Sequence, residues 1–254
     1  MPCKPLRLGP VGNAEVLNRV HAESTAEALL DHVIRCEYPG EIALVSSFGA
    51  DAAVLLHMVG RIDRAVPVLF LETGMLFPET LAYQQDLADH FGLTDVRLIR
   101  PDPQDLEMLD PGDELHAENP DGCCYIRKTL PLRRALSPFA ASITGRKRHQ
   151  AATRAALPLF EPENGPRLKV NPLARWSAED VRAYYDRHGL PRHPLVAKGY
   201  PSIGCAPCTT PVAPGEDPRA GRWRGQAKTE CGIHFDGTRW VREPRANHVR
   251  KGFL

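Results

Sequence analysis

The stretch Ile42-Ala43-Leu44-Val45-Ser46-Ser47-Phe48-Gly49-Ala50-Asp51 joins an apolar run to a turn of small and hydroxylated residues. The apolar part reads as a buried strand, and Ala52 to Val59 continues at helical spacing, so the segment is a strand, a turn and a helix. In open α/β sheets such turns lie where phosphate binds, with helix N-terminal amides and hydroxyls pointing outward. It is not a Walker loop, because no Gly-Lys-Ser/Thr follows. As a bare pattern it fits an ordinary strand-to-helix turn equally well.

The pattern recurs on both sides. Val66 to Leu71 is a second strand leading into Glu72-Thr73-Gly74, and Pro78-Glu79-Thr80 opens a helix. Asp95 to Ile99 is a third strand, and Ala141 to Thr144 a fourth that delivers Gly145-Arg146-Lys147-Arg148. Apolar groups at helical spacing over residues 14–36 give one or two helices before the first strand. Lys169-Val170-Asn171-Pro172 closes a short strand, and Ser177-Ala178-Glu179-Asp180 caps a helix running to His188. Strands alternating with helices at this spacing make a parallel sheet of βαβ units. Pro101 to Gly122, acidic and rich in Pro and Gly, reads as a surface excursion. From Thr209 onward no apolar period is visible, so residues 209–254 read as a tail, mobile unless a ligand or partner orders it.

With 254 residues, 43% hydrophobic and 25% charged, the composition is that of a soluble globular chain. A formal charge of +1 excludes an overall polyanion binder and leaves local basic patches open. No apolar run approaches the roughly 18–20 residues that cross a bilayer. The start, Met1-Pro2-Cys3-Lys4-Pro5, has no signal-peptide core. An odd cysteine count without a secretion signal points to a reducing compartment, the cytoplasm, and to metal or catalytic thiols over structural disulfides.

Four of the seven cysteines form two clusters, the neighbours Cys123-Cys124 and the CxxC pair Cys205 and Cys208. Neighbouring side chains diverge, so both reach one zinc ion only with strain, whereas a 4Fe–4S cubane accepts thiolates at separate irons. A disulfide between neighbours is also strained. The pattern therefore points to iron–sulfur ahead of zinc or redox thiols. Arg127, Lys128, Arg133 and Arg134 follow the first pair and would balance a thiolate-rich site. Cys231 stands apart in Lys228-Thr229-Glu230-Cys231-Gly232-Ile233-His234, close to Arg219, Arg222 and Arg224; cations there would lower a thiol pKa and make a nucleophile. A third concentration of charge, Arg146, Lys147, Arg148, His149 and Arg154, has no interleaved aromatic residues. It suits a small anionic ligand better than nucleic acid. Cys3 and Cys36 carry no motif.

In this order, SSFGAD, LETGMLFPET, CCYIRK, NPLARWSAEDV, LPRHPLVAKGYPSIGCAPCT, RAGRW and KTECGIH resemble the sulfonucleotide reductases, the assimilatory adenylyl-sulfate and phosphoadenylyl-sulfate reductases. The resemblance spans about Ile42 to His234. It implies an adenine-nucleotide alpha-hydrolase-like (ATP pyrophosphatase-type) α/β fold, with residues 1–208 as the nucleotide-binding domain carrying an iron–sulfur site. By motif, Cys231 looks like the nucleophile that attacks the sulfur of the sulfonucleotide, with His234 nearby and Lys128, Arg219 and Arg222 as cations at the phosphosulfate. The nucleotide would be held by Ser46, Ser47, Phe48, Gly49 and Asp51, by Leu71, Glu72, Thr73 and Gly74, and by Gly145, Arg146, Lys147 and Arg148. Cys123, Cys124, Cys205 and Cys208 match the ligands of one 4Fe–4S cluster in the iron–sulfur subgroup.

The resemblance further implies reduction of adenylyl sulfate to sulfite and AMP through an S-sulfocysteine, with thioredoxin or glutaredoxin as a separate donor. Family members show Gly-x-Arg after the fourth strand; Lys147 stands at that arginine, and a lysine lacks the bidentate fork. Arg146 or Arg148 would substitute. The 3′-phosphorylated nucleotide is the alternative substrate. More distant are a tRNA-thiolating ATP pyrophosphatase, whose SGGxDS is absent, and a nucleotide-binding iron–sulfur sensor. Neither nucleic acid nor membrane is an expected partner, and a homo-oligomer is open. Protein purified without oxygen should be brown, with about four irons per chain; zinc without iron would overturn the cluster reading.

Overall fold

The computed structural model describes residues 5–6, 8–163, 165–226, 228 and 230. Six strands form one sheet: β1 (Ile42–Ser46), β2 (Val68–Leu71), β3 (Val96–Ile99), β4 (Ala141–Thr144), β5 (Phe160–Pro162) and β6 (Leu168–Val170). Their order is β3-β2-β1-β4-β6-β5. All neighbours pair parallel except the edge strand β5, which is antiparallel to β6. In register, Leu44 stands between Val68 and Ile143.

Both faces of the sheet are covered, which is why its central strands are apolar throughout instead of alternating. Ile42 and Leu44 point into the larger core, with Val54 and Met58 of α3 (Ala52–Ile62) and Leu29 and Leu30 of α2 (Ala26–His32). Ala43, Leu69 and Leu71 point the other way, against Leu132 of α8 (Leu130–Ala135), Leu136 and Phe139. Among the remaining helices, α1 (Gly9–Val20) packs on β5 and β6, and α4 (Pro78–Phe91) on α3. α4 begins with Pro78 in its first turn and ends at Gly92, whose φ of 63° is the left-handed cap a β-carbon would strain. Ser177 and Asp180 form the expected capping box of α9 (Ala178–His188).

Pro101–Gly122 is the surface excursion expected, largely exposed and built of α5 (Pro103–Leu109), α6 (Leu115–Glu118) and the start of α7 (Pro120–Cys124). The structure departs from the sequence expectations in three places. β5 was not foreseen; its Pro162 is tolerated at a sheet edge. Thr209 to Gln226 is folded back: Thr209 bridges Arg222, Trp223 N–H donates to the Cys208 carbonyl at 3.0 Å, and Trp223 is buried. Cys36 is disulfide-bonded, so thiols without crosslinks do not describe that residue. Among the described residues no helix is long and apolar enough to cross a membrane.

One buried histidine ties the loop after α9 to α4. Leu195 N–H donates to His193 Nδ1 at 3.1 Å, so Nε2 carries the proton and donates to Thr80 Oγ1 at 3.0 Å. Burial pushes its pKa down from 6.5 to about 4, with Glu79 opposing. The unfolded chain takes up a proton that the folded one refuses, so stability should fall as pH drops from 6.5 towards 4. Urea midpoints across that range should decline less steeply for His193→Gln; an unchanged slope would remove His193 as a cause.

Candidate active site

The strand order reverses between β1 and β4, and at such a point the crevice beyond the strand carboxyl ends is left open. A cleft of about 530 Å³ lies there, within the range of small-ligand sites. Ser46, Ser47, Gly49 and Asp51 of the first turn line it, as do Gly145, Arg146 and Lys147 after β4. A β-carbon at Gly49 would come within 3.4 Å of the Ile203 carbonyl on the opposite wall, so the missing side chain allows the walls to approach.

Phe48 belongs elsewhere. Its φ of 47° turns the ring inward, where it is fully buried edge-on to Phe70 at 4.9 Å. The hydrogen bond from Phe48 N–H to Ser46 Oγ, 3.2 Å, fixes the turn, and ring burial offsets the strain of a positive φ. The Glu72-Thr73-Gly74 turn is also set apart from the cleft, which only Leu71 of that group lines. Glu72 accepts from Arg100 at 3.0 Å and from Gly74 N–H at 2.7 Å, while Thr73 Oγ1 lies 3.3 Å from Cys205 Sγ. This turn supports the cysteine loop.

The basic loop is largely paired internally. Lys147, 1% exposed, binds Asp51 at 2.9 Å and the Gly145 carbonyl at 3.3 Å, tying together the two strand-end turns. Arg146 donates to Thr144 Oγ1 at 3.3 Å, to Asn171 Oδ1 at 3.1 Å and to Glu161. Burial first, then Arg154, pushes its pKa down to about 10, against the pull of Glu230 and Glu163. Arg148 donates to the Leu157 carbonyl at 2.9 Å and does not line the cleft.

Cys123 and Cys124 end α7, whose first turn is capped by Asn119 accepting from Gly122 N–H at 3.0 Å. Cys205 and Cys208 sit on a tight turn stitched to the β2 side by Ala206 N–H to the Met75 carbonyl, 2.8 Å. None of the four is in a disulfide, and Cys208 is the least buried. They share one neighbourhood. The Cys123 thiol is pushed up to about 12 by burial first and by Cys124 next, with Cys205 and Cys208 adding and Arg127 opposing. Burial and Cys205 raise Cys208, while Lys128, Arg222 and Lys228 pull it down. Among the described residues no three His, Cys, Asp or Glu side chains converge as ligands of one ion.

Lys128 and Arg222 lower the pKa of Cys208 and also line the cleft, so these two cations join the two features. Lys128 lies on a wide turn, Tyr125–Thr129, that continues α7. Its neighbour Arg127 is locked into the interior by Asp110, at 2.7 and 3.2 Å, by Asp113, and by the Thr73 carbonyl at 3.1 Å. Arg134, expected beside the thiols, is exposed and faces Asp102 and Asp105. Arg222 lies 4.5 Å over the Trp223 ring, and a side chain at Gly204 would collide with its guanidinium. Arg219 lines the cleft 3.6 Å from Glu230, which Arg154 also holds. Sequence reading missed Glu230, Gln150, Arg182 and Arg192 as cleft residues; Arg154 was visible within the basic run. Cys231 and His234 lie outside the described residues.

Residues 41–211 match the phosphoadenosine phosphosulfate reductase domain family. The chain belongs to that family. Among its relatives, an adenosine 5′-phosphosulfate reductase of Mesorhizobium japonicum is 51% identical, covering 93% of this chain and 96% of the relative. A phosphoadenosine 5′-phosphosulfate reductase of Gloeobacter violaceus is 42% identical over 87% of this chain and 92% of its own length. The crystal structure of a phosphoadenylyl-sulfate reductase from Candida auris, a phosphate complex, superposes with a TM-score of 0.68 at 26% identity, covering 81% of this chain and 100% of that one. The parallel sheet with flanking helices is therefore the adenine-nucleotide alpha-hydrolase-like fold expected.

Asp110→Ala would leave Arg127 buried without its main partner. The expected cost is about 3–5 kcal/mol, read from urea unfolding. A loss under about 1 kcal/mol would give the pair only the weight of a surface bridge.

Proposed function

We propose that the protein reduces adenylyl sulfate to sulfite and AMP, in the assimilation of sulfate. The observation that carries this reading is that Lys128 and Arg222 line a nucleotide-sized cleft and also stand close enough to the Cys208 thiol to lower its pKa. The high identity to an adenosine 5′-phosphosulfate reductase supports the choice of nucleotide. The second reading, the 3′-phosphorylated substrate, is favoured by the Gloeobacter relative and by Arg182 and Arg192 in the cleft wall.

In the proposed reaction the Cys231 thiolate attacks the sulfur of the bound nucleotide. An S–S bond forms, the S–O bond to the phosphate breaks, and AMP departs with that electron pair. Lys128, Arg219 and Arg222 face the charge that grows on the leaving phosphate, where fixed cations stabilise the transition state most. A thiolate of a separate dithiol protein, thioredoxin or glutaredoxin, then attacks Cys231 sulfur and expels sulfite. Its second thiol resolves the mixed disulfide, so the donor supplies both electrons and Cys231 returns to the thiolate. The cytoplasm, where such donors are kept reduced, is the proposed location.

Cys123, Cys124, Cys205 and Cys208 fit a 4Fe–4S cluster. None of the four is in a disulfide, three are buried, and Cys123 is pushed up by burial and by the other three cysteines; such a group calls for a positive charge among them, and a cubane takes thiolates from separate points. When bound, the cluster supplies charge beside Lys128 and a staple between the α7 and Cys205 loops, not electrons.

Sulfite release from adenylyl sulfate and phosphoadenylyl sulfate, compared with excess thioredoxin, tests the reading. Preference for adenylyl sulfate is expected; preference for the other nucleotide would select the second reading, and release from neither would sink both. Cys231→Ser is expected to abolish turnover by at least about a thousandfold, as for other nucleophile deletions, while AMP binding persists. Surviving turnover would remove Cys231 from the mechanism.

A further inference from the structure

Two side chains fasten the chain just before Cys231, and they reach different parts of the fold. Glu230 is held on the cleft side by Arg154, whose Nε and Nη2 donate to its two carboxylate oxygens at 2.7 Å each. Lys228 donates from Nζ to Asp121, an acid in the first turn of α7, two residues before Cys123. Its ammonium also lies 5.6 Å from the centre of the Trp223 ring, and the lysine side chain is 8% exposed although that of Asp121 is 66% exposed. A cation withdrawn from water over an aromatic face is held more firmly than one in a solvated surface bridge. The ring itself is fixed: Trp223 is buried, and its backbone N–H donates to the Cys208 carbonyl at 3.0 Å. Lys228 therefore rests on both cysteine-bearing elements, on α7 through Asp121 and on the Cys205–Cys208 turn through Trp223.

Lys228 is not part of the cleft wall that Lys128, Arg219 and Arg222 line, so it is not placed to meet the nucleotide. We propose that Lys228 is a positioning residue: its pairing with Asp121 clasps the tail to α7, so that the chain enters the cleft at a fixed point and presents Cys231 to the nucleotide. This rests on the reading of Cys231 as the nucleophile. Consecutive α-carbons are about 3.8 Å apart, so ties at Lys228 and Glu230 together confine where the next residue begins. A nucleophile confined in this way reacts at a high effective concentration. One on a loosened tail occupies the reactive geometry for a smaller fraction of the time, and the rate falls by that fraction. The clasp acts through geometry and not through charge at the leaving phosphate. Its loss slows the attack while the affinity for nucleotide stays.

The attack is isolated by mixing full-length protein, purified without oxygen, with adenylyl sulfate and no thiol donor, where one AMP leaves for each S-sulfocysteine formed. The rate at saturating nucleotide and the half-saturating concentration are read separately. Lys228→Met keeps the stem and removes the charge, and Asp121→Asn leaves Lys228 in place. Each is expected to slow AMP release about five- to tenfold, with half-saturation and AMP affinity within about twofold of wild type. The double variant is expected to be no slower than either single one, because both remove the same contact. Lys228→Arg, which keeps the charge, is expected to stay within about twofold of the wild-type rate. Asp121→Asn at the wild-type rate would overturn the clasp, since Lys228 would then act by its charge on the thiols alone. Losses that multiply in the double variant would overturn it too, as would loss of bound iron or of AMP binding in either single variant, which would make the contact structural. No AMP release from wild type would sink the sulfonucleotide reading and the clasp with it; release from wild type with every variant its equal would sink the clasp alone.

Discussion

The reversal of strand order between β1 and β4 governs the rest of the structure. From β1 the chain crosses to β2 on one side, and it later returns to place β4 on the other. The connections therefore diverge, and no helix can pack over the carboxyl ends of both strands. A crevice is forced there, and its two lips must be joined by side chains. The Asp51–Lys147 pair does this. Residues far apart in sequence then close the crevice: the Ile203–Gly204 segment, the Arg219–Trp223 segment and Glu230.

Charge in this site is arranged before any ligand is considered. Arg146, Lys147 and Arg154 each hold a carboxylate partner and are almost fully buried. A buried cation is costly without such pairing, and with it the guanidinium and ammonium groups are fixed in position. Fixed dipoles and charges need no reorganisation when negative charge develops, which is the main source of electrostatic catalysis. The same pairing explains why the usual arginine position can be a lysine here. Lys147 makes its bond to Asp51 as a point charge, and no bidentate contact is asked of it.

Much of this was legible in the sequence because it rests on local signals. The β1, β2 and β4 strands are short apolar runs bounded by turns, and α4 and α9 carry their caps in the chain itself. The misreadings have a common physical cause: they depend on partners distant in sequence. Phe48 lies in a motif of ligand-binding character, but a positive φ, invisible in the chain, sends its ring to Phe70. Thr73 looks like a nucleotide contact until the Cys205 loop is brought beside it. The excursion at Pro101–Gly122 was legible, but its short helices have too few residues for periodicity to register, and are held partly by Asp110, which Arg127 draws into the interior. Thr209 to Gln226 has no apolar stripe, because it is anchored by single contacts at Thr209, Arg222 and Trp223. The thiols, by contrast, were legible as a set since their spacing alone is informative.

The wide turn at Tyr125–Thr129 has a consequence for how this segment can vary. Such a turn accommodates one residue more than a regular helical turn, and here it stands between the thiols of Cys123 and Cys124 and the side chain of Lys128. Each residue in a helix rotates the next by about 100°. A single insertion or deletion between Cys124 and Lys128 would therefore swing the lysine round the helix, away from the cleft, while leaving both cysteines in place. Substitutions within Tyr125–Thr129 can be absorbed singly, but its length cannot drift: the segment acts as a ruler whose unit is one residue.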